Sequence, residues 1–368
     1  MAQVEPTDML SVDDLQPILL GLFGEVGSIM ATAKKFHREK EAYAGYRHAV
    51  EEEFGDALWY MTALCRRLHL RVDEILAVVA SGETYQSAVA ENDLLDISIS
   101  HVATPTSVPE LDTALLQLGE AAARLFILRT SRENASAQLS SFADWYLRAL
   151  KAARVTFAEV VRKNIVKTRG RFLAPNYASM PTFDHTFEEA EQLPNHFEIT
   201  IDQRKSGRSY MRWNGVFIGD PLTDNILDPD GYRFHDVFHF SHAAILHWSP
   251  TFRALIKQKR KSDVKVDEAQ DGGRAIVIEE GLTAWIFSRA KELNYFEGQK
   301  SLSFDLLKTV QQFVVGYEVA ECPLALWEIA ILRGYDVFRE VKKNLGGTVA
   351  GDRTARTITY KPLRASGL

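Results

Sequence analysis

Three carboxylates sit inside apolar helical stretches near the N-terminus, and no other feature limits the fold of this chain as strongly. Glu25 lies in Gly21-Leu22-Phe23-Gly24-Glu25-Val26-Gly27-Ser28-Ile29, hemmed in by Leu22, Phe23, Val26 and Ile29. Glu53 and Asp56 lie in Val50-Glu51-Glu52-Glu53-Phe54-Gly55-Asp56-Ala57-Leu58-Trp59-Tyr60. Residues at this spacing share a helix face, so the pair can address a single cation. Such a pair at the start of a helix is either a cap or a metal site. The helix dipole favours acids in a first turn, which accounts for Glu51 and Glu52 as solvated residues. It does not account for Glu25, which is set among apolar neighbours. If the helix of Glu25 folds back as an antiparallel neighbour of the helix of Glu53 and Asp56, the three acids converge between the two.

The same pattern occurs a second time. Leu118-Gly119-Glu120-Ala121-Ala122-Ala123 echoes Phe23-Gly24-Glu25-Val26-Gly27-Ser28, and Phe142-Ala143-Asp144-Trp145-Tyr146 echoes Phe54-Gly55-Asp56 with the Trp59-Tyr60 pair shifted. Either a duplicated helical hairpin or the general likeness of amphipathic helices produces this echo. Duplication predicts a four-helix bundle made of two hairpins. Ser141 stands in the place of Glu53 in the second copy, so that copy is expected to be structural.

Gly-Leu-x-Gly-Glu-x-Gly followed one hairpin later by Glu-x-x-Asp-Ala-Leu-Trp-Tyr resembles the all-α nucleoside triphosphate pyrophosphohydrolases of the MazG type. In that family Glu-x-x-Glu and Glu-x-x-Asp motifs hold magnesium ions against a triphosphate. The resemblance covers about the first 172 residues and matches at Glu25, Glu53 and Asp56, with Ser28 where the family has its second glutamate. It implies Mg²⁺ as cofactor and a nucleoside or deoxynucleoside triphosphate as substrate, hydrolysed to monophosphate and pyrophosphate. Mg²⁺ keeps several waters and takes few protein carboxylates, so three acids still suffice for one metal, while a second metal position is weakened. By the same resemblance Asn164, Lys167 and Arg171, in Arg162-Lys163-Asn164-Ile165-Val166-Lys167-Thr168-Arg169-Gly170-Arg171, are candidate substrate contacts. Read from the residues alone, they form the cationic last turns of a helix.

Length and composition suit two soluble domains: 368 residues, 46% apolar and 25% charged. A net charge of −6 argues against general nucleic-acid binding, because a phosphate backbone demands an excess of Lys and Arg. Cys65 and Cys322 are too few for a disulfide framework, and no stretch reads as a signal peptide or membrane span, so a cytoplasmic protein is expected. Bundles of this kind pair readily, which suggests a homo-oligomer such as a homodimer.

Helical periodicity gives way after Phe172 to Leu173-Ala174-Pro175-Asn176, dividing the chain into residues 1–172, entirely helical in pattern, and 173–368. In the second region His196 to Ile201 alternates as a strand does, and Tyr210 to Ile218 reads as strand, Asn214-Gly215 turn, strand. Helices are expected from about Tyr232, Arg274, Phe304 and Ala325. The fold class is therefore mainly α, a helical bundle followed by an α-rich α+β domain with a small antiparallel sheet.

The second region has chemistry of its own but no family signature that its short motifs reveal. His235, His239 and His242 in His235-Asp236-Val237-Phe238-His239-Phe240-Ser241-His242 follow i, i+4, i+7 spacing and share one helical face, as ligands of Zn²⁺ or Fe²⁺ do. His242 and His247 are weaker candidates. Asp236 can orient a ligand from behind. Glu279 or Glu280 offers the third ligand, since both interrupt the apolar run Ala275 to Phe287 and a buried carboxylate needs a cationic partner. His235, His239 and Glu280 form the candidate set. The alternative is a metal-free His-Asp-Glu network with Arg233 or Arg274 neutralising the acids. The run Lys257-Gln258-Lys259-Arg260-Lys261-Ser262-Asp263, followed by Asp267, Glu268 and Asp271, reads as a solvated loop or as a mobile lid that grips phosphates. Three functional readings follow: a Mg²⁺-dependent triphosphate pyrophosphohydrolase, a degenerate MazG-like scaffold carrying a C-terminal metal enzyme, and a nucleotide sensor without turnover.

Overall fold

The computed structural model describes residues 14–81, 85–88 and 102–363, together with 7, 8 and 10. The chain divides into two compact units, Met1–Leu173 and Ala174–Leu368.

The N-terminal unit begins with α1 (Gln16–Glu39), whose Leu22, Val26, Ile29 and Ala33 recur at helical spacing and are buried. Together with the turn after it, Gln16–Ala42 is long and apolar enough to cross a membrane. Here its apolar face belongs to the bundle core. A turn leads to α2 (Tyr46–Arg67), and the two pack extensively. Gly21 lies against Tyr60, where an added Cβ would come within 2.2 Å of the ring, and Glu25 lies beside Asp56. Going up α1 therefore means going down α2, the signature of an antiparallel pair, and Gly21 is what lets Tyr60 close in.

After α3 (Val72–Ala80) come strands β1 (Tyr85–Ala88) and β2 (Val102–Pro105), which pair antiparallel. The expectation that this region is wholly helical is thus corrected. Next are α4 (Leu111–Arg124), α5 (Ala135–Ala152) and α6 (Phe157–Phe172), the last started by a capping box between Thr156 and Glu159. α4 packs on α5 as α1 packs on α2, α1 meets α4, and α6 and α3 lie against α2 and α5. Two hairpins form the centre, but two further helices complete the bundle. The buried Tyr146 hydroxyl of α5 donates to the Phe54 carbonyl of α2 at 2.9 Å, tying the two hairpins together beside the acids.

Gly55 of α2 lies close against α6, with Asn164 Cβ 2.9 Å and Val160 O 3.4 Å from the position a Cβ would take. Gly55→Ala is expected to push α6 outward and destabilise the unit by about 1–3 kcal/mol, the usual cost of overpacking. Chemical denaturation checks this, and a shift below about 0.5 kcal/mol would mean the interface yields freely.

In the C-terminal unit β3 (His196–Gln203), β4 (Ser209–Trp213) and β5 (Val216–Leu222) form a meander, with Asn214 (φ 49°) and Gly215 (φ 80°) supplying the left-handed turn. Then come α7 (Asp236–Ser241), a π-helical turn at His242–Leu246, α8 (Pro250–Ile256), α9 (Val264–Ala269), α10 (Gly273–Glu292), α11 (Phe304–Phe313) and α12 (Leu324–Asn344). β6 (Gly346–Asp352) and β7 (Thr357–Lys361) return to give an antiparallel sheet of order β5-β4-β3-β6-β7. β6 gave no strand signal because Gly346, Gly347 and Gly351 dilute its β-branched residues, yet it pairs with β3 from His196 to Asp202. α12 covers α7 and the β6–β7 hairpin, and Ser241 Oγ donates to Ala330 O at 2.6 Å across that contact.

One charge network lies inside this unit. Asp184 takes Arg253 at 2.6 Å and Arg353 at 2.7 Å, and Arg260 spans Asp271 and Glu318, each at 2.7 Å. Arg260 and Asp271 are only 1% exposed, so the charged run at 257–271 is not simply a solvated loop. Its lysines do face solvent: Lys257, Lys259, Lys261 and Lys265 line an open cavity of about 1300 Å³ with Arg274.

Candidate functional site

The structure brings Glu25, Glu53 and Asp56 together, with a carboxylate oxygen from each lying within 4.8 Å of the others. α1 supplies Glu25 and α2 the other two, from positions three apart on one face. Burial pushes the Glu25 carboxyl up to about 7, and the charges of Asp56 and Glu53 add to the rise. Three acids crowd this closely, and the Lys167 ammonium beside Asp56 lowers the Glu25 carboxyl less than burial and the two neighbouring acids raise it. A hard divalent cation with oxygen preference fits that donor set. Ser28, one turn after Glu25 on α1, contributes no carboxylate.

Asn164 and Lys167, expected at the substrate, both bond Asp56. Asn164 Nδ2 donates to Oδ1 at 2.9 Å and Lys167 Nζ donates to Oδ2 at 2.5 Å, with a second Lys167 ion pair to Glu52 at 2.7 Å. Burial works against the Lys167 ammonium, but Asp56 and Glu52 overcome it and raise its pKa. Arg171 lies further along α6, with its guanidinium over the Phe172 ring. Glu51 and Glu52 also differ from the solvated first turn expected of them. α2 starts at Tyr46, so they fall beyond its first turn, and Glu51 is 2% exposed, paired with Arg47 at 2.9 Å and with Lys163. The signal for this was the Lys163-Asn164 and Lys167 spacing on α6, which places a cationic face opposite an acidic one.

In the second hairpin the equivalent acids have arginine partners. Glu120 pairs with Arg124 at 2.5 Å and Asp144 with Arg148 at 3.0 Å, each within its own helix.

The C-terminal unit gathers its histidines around α10, though not as one helical face. His235 precedes α7 and His242 begins the π-helical turn, so His239 stands between two sets: His235 and Glu280 on one side, His242 and Glu279 on the other. His239 Nε2 lies 3.3 Å from Glu280 and His235 Nε2 lies 3.4 Å from it. His239 Nδ1 lies 3.1 Å from Glu279 Oε1, and His242 Nδ1 hydrogen-bonds the same oxygen at 2.9 Å. Ser249 Oγ and the Thr251 amide donate to the other Glu279 oxygen, each at 3.0 Å. Burial works against the Glu279 charge, yet His239 and His242 outweigh it and hold this carboxyl at about 2. Sequence reasoning named Glu279 only as the other choice to Glu280; its role as the anchor of two imidazoles is new.

Arg233 and Arg274 are not seen to neutralise these acids among the described residues. Arg233 pairs with Asp224 at 2.9 Å, and Arg274 is exposed. His247 is apart from the cluster, with Nε2 on the Arg353 carbonyl at 2.8 Å, and burial lowers its pKa to about 4.

Residues 178–364, about half of the chain, match the family model of the MazG C-terminal domain. No curated protein and no solved structure matches.

Proposed function

From a chain that belongs to the MazG C-terminal domain family, we propose a nucleotide hydrolase whose N-terminal unit cleaves a nucleoside or deoxynucleoside triphosphate to monophosphate and pyrophosphate. The observation that carries this reading is the convergence of Glu25, Glu53 and Asp56 from two helices onto one small volume, where Glu25 is pushed up to about 7. The three carboxylates would hold Mg²⁺. When bound, that ion supplies charge neutralisation for the triphosphate and lowers the pKa of a water. Hydrolysis would join a water oxygen to the α-phosphorus as the α–β anhydride bond breaks, with pyrophosphate taking the electron pair and the water's proton passing to solvent. Asn164 and Lys167 keep Asp56 oriented by bonding both of its oxygens. Lys167 also keeps a cation next to the acids, where charge grows on the leaving group. Glu51, held by Arg47 and Lys163, fixes α6 to α2 and so keeps Lys167 in place.

The test is pyrophosphate release from a panel of nucleoside and deoxynucleoside triphosphates, with and without Mg²⁺. Release that requires Mg²⁺ from at least one of them is expected; none from any would overturn turnover. Ser28 favours a second reading for that outcome, a sensor that binds nucleotide without hydrolysing it.

The Glu25 shift sets a pH dependence. Its folded pKa of about 7 lies above the ordinary carboxylate value, so the stability it contributes is present in acid and is lost as pH rises through about 7. Metal binding needs the ionised form. Mg²⁺ affinity is therefore expected to fall about tenfold per pH unit below neutrality, and saturating Mg²⁺ should raise the melting temperature of this unit more at pH about 8 than at about 6. Equal shifts at both values would show that Glu25 takes no part in the metal site.

A further inference from the structure

We propose that the C-terminal unit binds one divalent transition metal ion, Zn²⁺ or Fe²⁺, through His235 Nε2, His239 Nε2 and the Glu280 carboxylate, with Glu279 and Asp236 as supporting acids. This site is independent of the acid cluster in the other unit.

The tautomer of His235 is the first argument. Its Nδ1 lies 2.9 Å from the Tyr232 carbonyl, which can only accept, so Nδ1 carries the proton. In a neutral ring Nε2 then presents a lone pair, and it faces a carboxylate oxygen of Glu280 at 3.4 Å. A lone pair facing a carboxylate in this way calls for a positive centre between them, either a proton on the ring or a metal ion. Tyr232 stacks flat on the His235 ring, with centroids 4.3 Å apart, and fixes its plane.

His239 gives the second argument. It is wholly buried, and neither of its ring nitrogens makes a hydrogen bond of acceptable geometry, although carboxylate oxygens stand 3.1 and 3.3 Å away. An imidazolium serving these acids would aim its N–H bonds at them. The ring is instead placed as a metal ligand whose other nitrogen is backed by a carboxylate, the usual support for a bound histidine. Asp236 Oδ2 is likewise buried without a hydrogen-bond partner, one residue from His235.

Distances agree with a single centre. The ligand atoms of His235, His239 and Glu280 lie within 4.8 Å of one another. The separations of the two histidines from Glu280, 3.3 and 3.4 Å, match the edge of a tetrahedron with bonds of about 2.1 Å. Glu279 is already committed to His242, Ser249 and Thr251, so it orients rather than ligates. Three protein ligands leave a fourth position, and the Glu280 side chain is 37% exposed, so that position opens to solvent as in catalytic rather than structural metal sites. The π-helical turn directly after α7 shifts the register so that His242 meets Glu279 instead of joining His235 and His239; such turns gather at functional sites.

The experiment strips full-length protein with a chelator, titrates it with Zn²⁺, anaerobic Fe²⁺ and Co²⁺, and measures bound metal by elemental analysis and the Co²⁺ visible spectrum. One equivalent per chain is expected, with a tetrahedral Co²⁺ spectrum. His235→Ala and Glu280→Gln should each weaken binding by more than about tenfold while leaving the circular dichroism spectrum unchanged. His239→Ala removes a core side chain and is a secondary variant for that reason. Glu53→Gln should keep the transition metal, which separates this site from the acid cluster. Substoichiometric binding in the parent, or full binding retained in both His235→Ala and Glu280→Gln, would overturn the proposal in favour of an imidazolium–carboxylate network.

Discussion

Asp56→Asn is expected to lower Mg²⁺-dependent pyrophosphate release by about 10²–10³-fold, the several kcal/mol that a metal contributes to such a transition state. The substitution keeps the size of the side chain and leaves an oxygen for Asn164, so the helix packing survives. What it removes is the charge shared between Lys167 and the cation site. Glu53→Gln should act alike, because it withdraws a second of the three carboxylates. Asp144→Asn is the matched control: its acid occupies the corresponding place in the second hairpin but is paired with Arg148 on its own helix. That variant should stay within about twofold of the parent, since Asp144 is paired within its own helix and such i,i+4 pairs contribute less than about 1 kcal/mol. If the protein binds nucleotide without turnover, the same variants should lose Mg²⁺-dependent nucleotide affinity. Undiminished activity and binding in both Asp56→Asn and Glu53→Gln would remove the site.

Asp184→Asn should produce the largest loss of stability in the C-terminal unit, about 3–5 kcal/mol in denaturant unfolding followed by its tryptophans, the usual cost of breaking a buried pair. Asp184 accepts from Arg253, from Arg353 and from the Leu193 amide at 2.8 Å, and all of these lie in the interior. Asparagine fills the space but leaves two guanidinium ions facing an uncharged group. The sign with pH follows from the same contacts. Burial alone would raise the Asp184 pKa, but Arg353 and Arg253 overcome it and lower the value below that of a free aspartate. Its contribution is therefore present above the unfolded pKa of about 3.9 and is lost as pH falls through the lower folded value. The difference between parent and variant should hold from pH about 8 to 5 and shrink below about 4. A difference under about 1 kcal/mol at neutral pH would mean the arginines find other partners.

Legibility in the sequence tracks how local each contact is. Glu25, Glu53 and Asp56 stand out because each breaks an apolar helical period, and the hairpin that unites them needs only a short turn. The mainly helical class and the β3-β4-β5 meander were readable for the same reason, with the Asn214-Gly215 turn marked in the residues themselves. The capping of Asp56 by Asn164 spans 108 residues, and the choice between Glu279 and Glu280 depends on how α10 is rolled against α7. Adjacent helical positions differ by about 100° in direction, so spacing along one helix cannot say which of two neighbours meets a histidine on another. The strand β6 was hidden because its glycines have no preference of their own and are held by β3.

By itself the sequence determined the helices, their apolar faces and the residue types available for chemistry, since these follow from periodicity over a few turns of chain. Only the tertiary structure decided which charges face which. Arg353 meets Asp184 across 169 residues, Lys163 and Arg47 bury Glu51, and His239 lies between two acids. The reason is that a buried charge is stable only where an opposite charge is delivered to it, and that delivery depends on how distant elements pack rather than on the sequence around either residue.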